Sequence, residues 1–416
     1  MFGNGKTSLK VNLGKYLQGA SVSNLAYNAN PALRIPGGDT TFGGTFAPST
    51  TRTWTDNDRD FVPDCNLDSP LAQSPATGAV DNCGQITNLA FGTTALVSTT
   101  NFDQGLLSGW GVRPSDWALG VSVQQEIIPR ASVEVGYYRR NFTQWFTGGV
   151  VQDNLAISPN DVATYTITAP GDSRLPNGGG YTVGPLYNVN PNVFGQSNLL
   201  FKSTKDVGDD TRVFNGVDVN LNVRLRNSFT FSGGTSTGKV ENDWCDIRAA
   251  VPEVAAYIVN PYCHVESPFQ TSFRALASYT IPRIDLLVST VYQDKINVAT
   301  DQITSLAANY ILTAADQAAA AAQIGRPLTI GAPITVNLIA PGEVYGDRVR
   351  QLDVSVKKIL RFGGRRLTAG VDMLNLLNNN VTLAFNQTYV PTTTGWLTPT
   401  TYMNPRVFRI NAEFAW

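Results

Sequence analysis

Asp56, Asp58, Asp60 and Asp64 fall in the segment Asp56-Asn-Asp-Arg-Asp-Phe-Val-Pro-Asp64, with carboxylates at every second residue and a fourth slightly later. Such spacing lets a loop fold oxygens around a hard cation such as calcium, which takes roughly six to eight oxygen ligands. The segment departs from an EF-hand: Phe61 occupies the sixth position, where glycine is usual, and Leu67 the twelfth, where a glutamate would sit. Two readings stay open: a calcium site that stiffens a surface loop, or a solvated acidic turn whose like charges repel. Neither is catalytic.

The four cysteines form two local pairs, Cys65 with Cys83 and Cys245 with Cys263, each in a stretch that reads as loop. In an oxidising compartment each pair would close a ring and contribute about 3 kcal/mol on a chain-entropy estimate. Free thiols and metal ligation are the alternatives. No CxxC spacing is present and His264 is the single histidine, which argues against zinc. His264 beside Cys263 resembles a nucleophile pair, but a disulfide uses that sulfur, and no paired acid and base can be located elsewhere. Enzyme activity is not expected.

The elements that must carry these loops are alternating strands. Phe408, Ile410, Ala412, Phe414 and Trp416 share one face of the last segment, with Arg409, Asn411 and Glu413 on the other. Leu9, Val11 and Leu13 alternate with Ser8, Lys10 and Asn12. Trp117 to Val123 and Val133 to Tyr137 flank a turn at Ile128-Pro129-Arg130. Val217 to Leu225 returns through Arg226-Asn227-Ser228 to Phe229 and Phe231. The runs Phe273–Tyr279 and Leu286–Tyr292 join at Pro282-Arg283, and Leu352–Val356 and Leu367–Met373 join at Phe362-Gly363-Gly364.

That gives about ten strands of membrane-spanning length. Connections alternate between short turns and long loops, the latter around residues 19–113, 145–212, 240–268, 296–346 and 378–404. Transmembrane barrels show this asymmetry, with short periplasmic turns and long extracellular loops. The fold class predicted is all-β, an antiparallel transmembrane β-barrel, with residues 1–416 as one partial barrel domain. Thr313 can cap a helix over Ala314 to Ile324, with Asp316 at its third position and Gly325 as terminator. That helix either packs under the loop layer or is a mobile insert.

Composition agrees. Of 416 residues, 15% are charged, well below the roughly 25% of soluble proteins. No apolar run approaches the roughly 20 residues a spanning helix needs. A net charge of −1 shows no basic footprint for nucleic acid. The start, Met1-Phe-Gly-Asn-Gly-Lys-Thr, lacks the charged and apolar regions of a signal peptide. The expectation is therefore the C-terminal part of a longer chain.

Glu134, Asp218, Asn220, Asn222, Arg224, Arg274, Asp353 and Asp372 fall on the polar face, where they would line a path or simply pair with one another. Trp110, Trp117, Tyr137, Tyr138, Trp145, Tyr279 and Tyr292 suit interfacial girdles. Trp54 and Trp396 lie in outer loops, where a surface aromatic can stack on carbohydrate.

Several stretches resemble the TonB-dependent receptors of the bacterial outer membrane, specifically the Oar-like branch. They are Lys10-Val-Asn-Leu-Gly-Lys-Tyr-Leu17, Trp54-Thr-Asp-Asn-Asp-Arg-Asp-Phe-Val-Pro-Asp-Cys65, Asp172-Ser-Arg-Leu-Pro-Asn-Gly-Gly-Gly-Tyr181, Gly370-Val-Asp-Met-Leu-Asn-Leu-Leu-Asn378 and Pro405-Arg-Val-Phe408. The acidic segment is similar to thrombospondin type 3 calcium repeats. The receptor resemblance implies a barrel of about 22 strands, of which this chain would be roughly the C-terminal half. It also implies a plug domain and a TonB box, neither of which can be identified here.

Further implications are residence in the outer membrane of a Gram-negative bacterium and contact with lipid and with the barrel-assembly machinery. In a full-length receptor, the TonB complex and an unknown extracellular ligand would be partners. Two rivals remain: a plugless passive pore of ten strands closed on themselves, and a surface adhesion or assembly protein anchored by its barrel.

Overall fold

The computed structural model describes residues 5–19, 50–86, 100–107, 113–225, 228–297, 305–331 and 333–416. Ten long strands dominate it: β1 (Thr7–Leu17), β2 (Ser115–Ile128), β3 (Ala131–Thr143), β4 (Thr211–Arg224), β5 (Phe229–Asp243), β6 (Gln270–Ile281), β7 (Leu286–Lys295), β8 (Val349–Phe362), β9 (Arg365–Leu374) and β10 (Val407–Ala415). Each pairs antiparallel with its neighbour in sequence, so the sheet is a meander in chain order. A short strand, His264–Glu266, adds to the end of β5.

Register gathers most of the strands' aliphatic residues on one face. On β2, Leu119 pairs with Leu13 on one side and Arg139 on the other, Val121 with Val11 and Tyr137, and Val123 with Leu9 and Val135. The apolar row continues through Val219, and at the far edge Val371 opposes Ile410 and Met373 opposes Phe408. A one-residue shift would exchange the faces of a whole strand, so this continuity shows that alternation fixes the pairing.

The connections sort by rim. Pro129-Arg130, residues 225–228, residues 282–285 and Gly363-Gly364 join strands at one end. Of these, Arg226 and Asn227 lie outside the described residues. Gly363 and Gly364 have φ of 57° and 79°, the left-handed pair that a two-residue hairpin turn requires. All long connections emerge at the other end, and Trp416 ends at the short-turn rim.

The sheet is open. Among the described residues β1 pairs only with β2 and β10 only with β9. Among the described residues the strands thus form a wall with two free edges, and the closure of ten strands on themselves that the passive-pore rival requires is not seen.

Glycines shape the polar face. Tyr138 lies over Gly120 and Gly136, where an added Cβ would come within 3.2 and 2.8 Å of its ring or hydroxyl. Phe214 likewise covers Gly216 and Gly238, with 2.6 Å left for a Cβ at each. Tyr138 therefore points away from the apolar face and is not a girdle residue. Trp117, Tyr137, Tyr279 and Tyr292 do share the apolar face, and Trp110 lies outside the described residues.

Above the long-loop rim sits a cap with its own core. Short hairpins build it, including Val162–Thr168 with Thr182–Val189 and Asn309–Ile311 with Thr335–Asn337. The helix Ala314–Ile324 forms as its sequence directs: Thr313 Oγ1 accepts from Asp316 N, the capping box is complete, and Gly325 ends it at φ 70°. It packs rather than floats, since Ala320 is fully buried and Gln323 exchanges two hydrogen bonds of 2.9 Å with the backbone of Thr166. Trp145 packs in this layer against Phe146, not at a membrane girdle.

Candidate functional site

Three arrangements carry polar chemistry: the polar face of the sheet, the disulfide-stapled acidic loop, and the contacts that hold the cap together. On the sheet, most carboxylates are satisfied by neighbours. Glu134 accepts from Ser122 Oγ at 2.7 Å and pairs with Lys10 at 3.3 Å. Asp372 accepts from Ser355 at 2.6 Å and from Arg409 and Asn411 at 2.8 Å. Asp353 accepts from the Gln351 amide and from Asn375 N, and Asp116 pairs with Arg140 at 2.6 Å. Asn222 accepts from Ser232. These are the inter-strand pairs that hold a wet surface together. Asp218 and Arg274 are exceptions to which no hydrogen bond or ion pair is made.

The acidic loop is pinned by the Cys65–Cys83 disulfide and by the two-residue strands Trp54–Thr55 and Asn82–Cys83. The structure does not gather Asp56, Asp58, Asp60 and Asp64 as one set. Asp58, Asp60 and Asp64 bring carboxylate oxygens within 4.8 Å of one another, and so do Asp56, Asp58 and Asp81. Either span is compatible with oxygens at roughly 2.3–2.6 Å from a common calcium ion. Loss of water around Asp58 and repulsion from Asp60 push its carboxyl up from the ordinary value, the effect a cation would reverse.

Asp81 is the residue that sequence reasoning missed. Fully buried, it accepts from Asn57 N at 2.8 Å, Asp64 N at 3.0 Å and Trp54 Nε1 at 2.9 Å. Those donors, the Asn57 amide first, hold its carboxyl below the usual range. Its signal was faint: it stands two residues before Cys83, opposite the Asp64-Cys65 pair across the disulfide. Phe61 adopts φ 63° and is 86% exposed, so the glycine position of the resembling loops keeps its left-handed backbone here without a glycine.

The second disulfide, Cys245–Cys263, closes the β5–β6 connection beside a cluster of Val151, Trp244, Ile247, Val251 and Tyr257. The thiol of Cys263 is thereby consumed, and His264 Nδ1 meets Asp243 Oδ2 at 3.0 Å. Trp396 is 5% exposed, packs on Tyr389 and donates its Nε1 to Ala307 O at 2.9 Å. It is core, not a carbohydrate platform; Trp54 remains partly open but is held by Asp81.

The motif around Asp172 acts as a clasp. Arg174 grips Asp172 through Nη2 at 2.5 Å and donates from Nη1 to Thr393 O at 2.7 Å, while Tyr389 Oη donates to Asp172 at 2.8 Å. It thus ties the β3–β4 connection to the β9–β10 connection. The hydrogen bonds from Arg174 hold the Asp172 carboxyl well below the usual carboxylate range. By contrast, burial pushes Glu253 up despite a 3.1 Å bond from Asn154 N.

The class that fold and site define is an antiparallel β-sheet protein with one apolar and one wet face, short turns at one rim and a structured cap at the other. No known protein family's model matches the chain, and no curated protein matches it. Among solved structures it is similar to the outer membrane transporter YddB from Escherichia coli, at 13% identity and a TM-score of 0.36. The match covers 72% of this chain and 32% of the other, a likeness too slight to carry fold or function across. The chain corresponds to well under half of that protein's length.

Proposed function

We propose that this chain is part of the wall of an outer-membrane receptor barrel of the TonB-dependent, Oar-like type, in a Gram-negative bacterium. The observation that carries the reading is the sheet's apolar face. It runs from Leu9, Val11 and Leu13 at one edge, through Val219, Phe231 and Val356, to Phe408 and Ile410 at the other, and the edge side chains are exposed. A soluble sheet would cover such a face with helices or a second sheet; here lipid is the covering that fits. Further strands of a full-length protein would meet the free edges of β1 and β10, because open strand edges are not tolerated in a bilayer. The cap would face outward and meet a bulky nutrient, with the TonB complex powering release and the barrel-assembly machinery acting on the β10 end.

The chain's two disulfides and its internally packed cap also support a second reading, a surface anchor whose loops bind partners while no transport occurs. Folding the full-length protein that carries this chain, with the strands that would cover both free edges, into lipid vesicles tests the common part. Protection of β1 to β10 from added protease is expected, with cleavage confined to the loops; cleavage throughout the sheet would sink both readings. In the full-length gene, nutrient-dependent growth that needs TonB favours the receptor. Cell attachment lost with the cap while uptake persists favours the anchor.

A further inference from the structure

The wet face contains a groove of about 600 Å³ over β4, β5 and β6. Its floor is Gly234, which stands between Asn220 on β4 and Arg274 on β6. A Cβ there would come within 2.1 Å of Val219 O and 2.6 Å of Asn220 Oδ1, so the depression exists because that position has no side chain. The volume falls in the ordinary range for small-molecule sites, roughly 300–1,000 Å³.

What lines the groove differs from the rest of the face. Elsewhere on the face Asp116, Asp353 and Asp372 are each held by neighbouring side chains or backbone, and so is Glu134, which lines the groove beside Asp218 and is tied to Lys10 and Ser122. Asp218 and Arg274, both in the groove lining, are not held, and no ion pair joins them to each other. Two inter-strand spacings separate their strands, about 10 Å. Beside Arg274, Leu276 and Val291 oppose each other and expose aliphatic surface on the wet face. One unpaired charge of each sign, a hydroxyl row at Ser236 and Ser272, and an aliphatic shelf at one end make an unusual combination.

We propose that this groove binds a short aliphatic peptide with free termini, its ammonium group at Asp218 and its carboxylate at Arg274. The planar guanidinium offers the carboxylate a two-pronged contact that a lysine would not. Leu276 and Val291 take an aliphatic side chain, and Ser236 and Ser272 take the backbone amides. The inference rests on the barrel-wall reading, in which this face is wet and reachable.

The test uses the full-length protein that carries this chain, folded into lipid vesicles, and trileucine as the probe, with binding read by equilibrium dialysis and insertion read separately by protease protection. Trileucine is expected to bind, and N-acetyl-trileucine amide, which loses both charged contacts, to bind at least about a hundredfold more weakly. Asp218→Asn and Arg274→Gln should each weaken trileucine about tenfold while leaving insertion unchanged. Equal binding of free and blocked peptide, unchanged binding in both variants, or no binding by an inserted protein would overturn the proposal. A full-length protein that fails to insert would overturn the barrel-wall reading first, and this proposal with it.

Discussion

The sheet and the cap solve opposite problems with the same residue types. In the sheet, Val11, Leu13, Val219, Ile410 and Phe408 are exposed, Ile410 by 85%. In the cap, Leu338, Ile339, Leu186 and Val336 are fully buried, in one cluster drawn from the β3–β4, β7–β8 and β9–β10 connections. Every one of the largest fully buried side chains belongs to a connection and none to β1 through β10. The difference teaches where each region's hydrophobic stabilisation comes from. The cap buries its apolar surface against itself, as a soluble domain does, whereas the sheet leaves that surface for a surrounding of another kind.

The contrast breaks most clearly in the cap core. Leu338→Ala should cost about 2–5 kcal/mol there, read as lost hydrogen-exchange protection in the cap while β1 to β10 keep theirs; a uniform loss would merge the two regions into one cooperative unit. Next in size, Val219→Arg should cost roughly 2–4 kcal/mol of folding free energy in lipid if it sits near the bilayer midplane, and Asn220→Arg far less. Equal penalties would mean that the assigned faces are wrong. Removing the Cys245–Cys263 bond with paired serines should cost about 3 kcal/mol, confined to the exchange behaviour of the β5–β6 connection.

Two carboxyls of the cap should respond to pH with opposite sign. Asp172 is lowered in the folded state, so its contribution is present above the unfolded value near 3.9 and fades only as pH falls toward the lower folded one. Cross-linking between residues of the two clasped loops should therefore persist at pH 5 and be lost in Asp172→Asn at neutral pH. Glu253 is raised, so the cap is destabilised as pH climbs from the unfolded value near 4.3 through the folded one. Glu253→Gln should stabilise the cap at pH 7 and leave it unchanged at pH 4, measured by thermal unfolding.

The smallest effect concerns the acidic loop. Calcium should raise the protease resistance of residues 50–86, and Phe61→Gly, by relieving a left-handed backbone, should add at most about 1 kcal/mol. Resistance that is the same with calcium and with chelator would leave the carboxylates as a hydrogen-bonded turn.

How much of this was legible in the sequence follows from the range of the contacts. All ten strands, their faces and their rims could be read, because each strand pairs with its chain neighbour and period-two alternation is local. The helix at Ala314 was legible for the same reason: Thr313, Asp316 and Gly325 signal within a few residues. The cap core was not. Tyr181 and Leu338, or Trp396 and Ala307, meet across long stretches of chain, and strands as short as Thr335–Asn337 leave no periodic trace. Trp396 was misjudged as a surface aromatic on that account, and Asp81 was overlooked because its role depends on donors brought to it by folding. Tyr138 and Trp145 were misplaced because residue type alone does not say which face or layer an aromatic occupies.

The aromatic rings seated over glycines have one more consequence. Alternation of faces rejects a slip of one residue between strands but is blind to a slip of two, which restores every face. Moving β5 by two residues against β4 would bring Ser236 or Val240 beneath Phe214 in place of Gly238, where even one added carbon comes within 2.6 Å of the ring. The same holds for Tyr138 above Gly120 on β2. These ring-and-gap fits work as alignment pins: they give a repetitive sheet an absolute count along its strands, which hydrophobic patterning cannot supply.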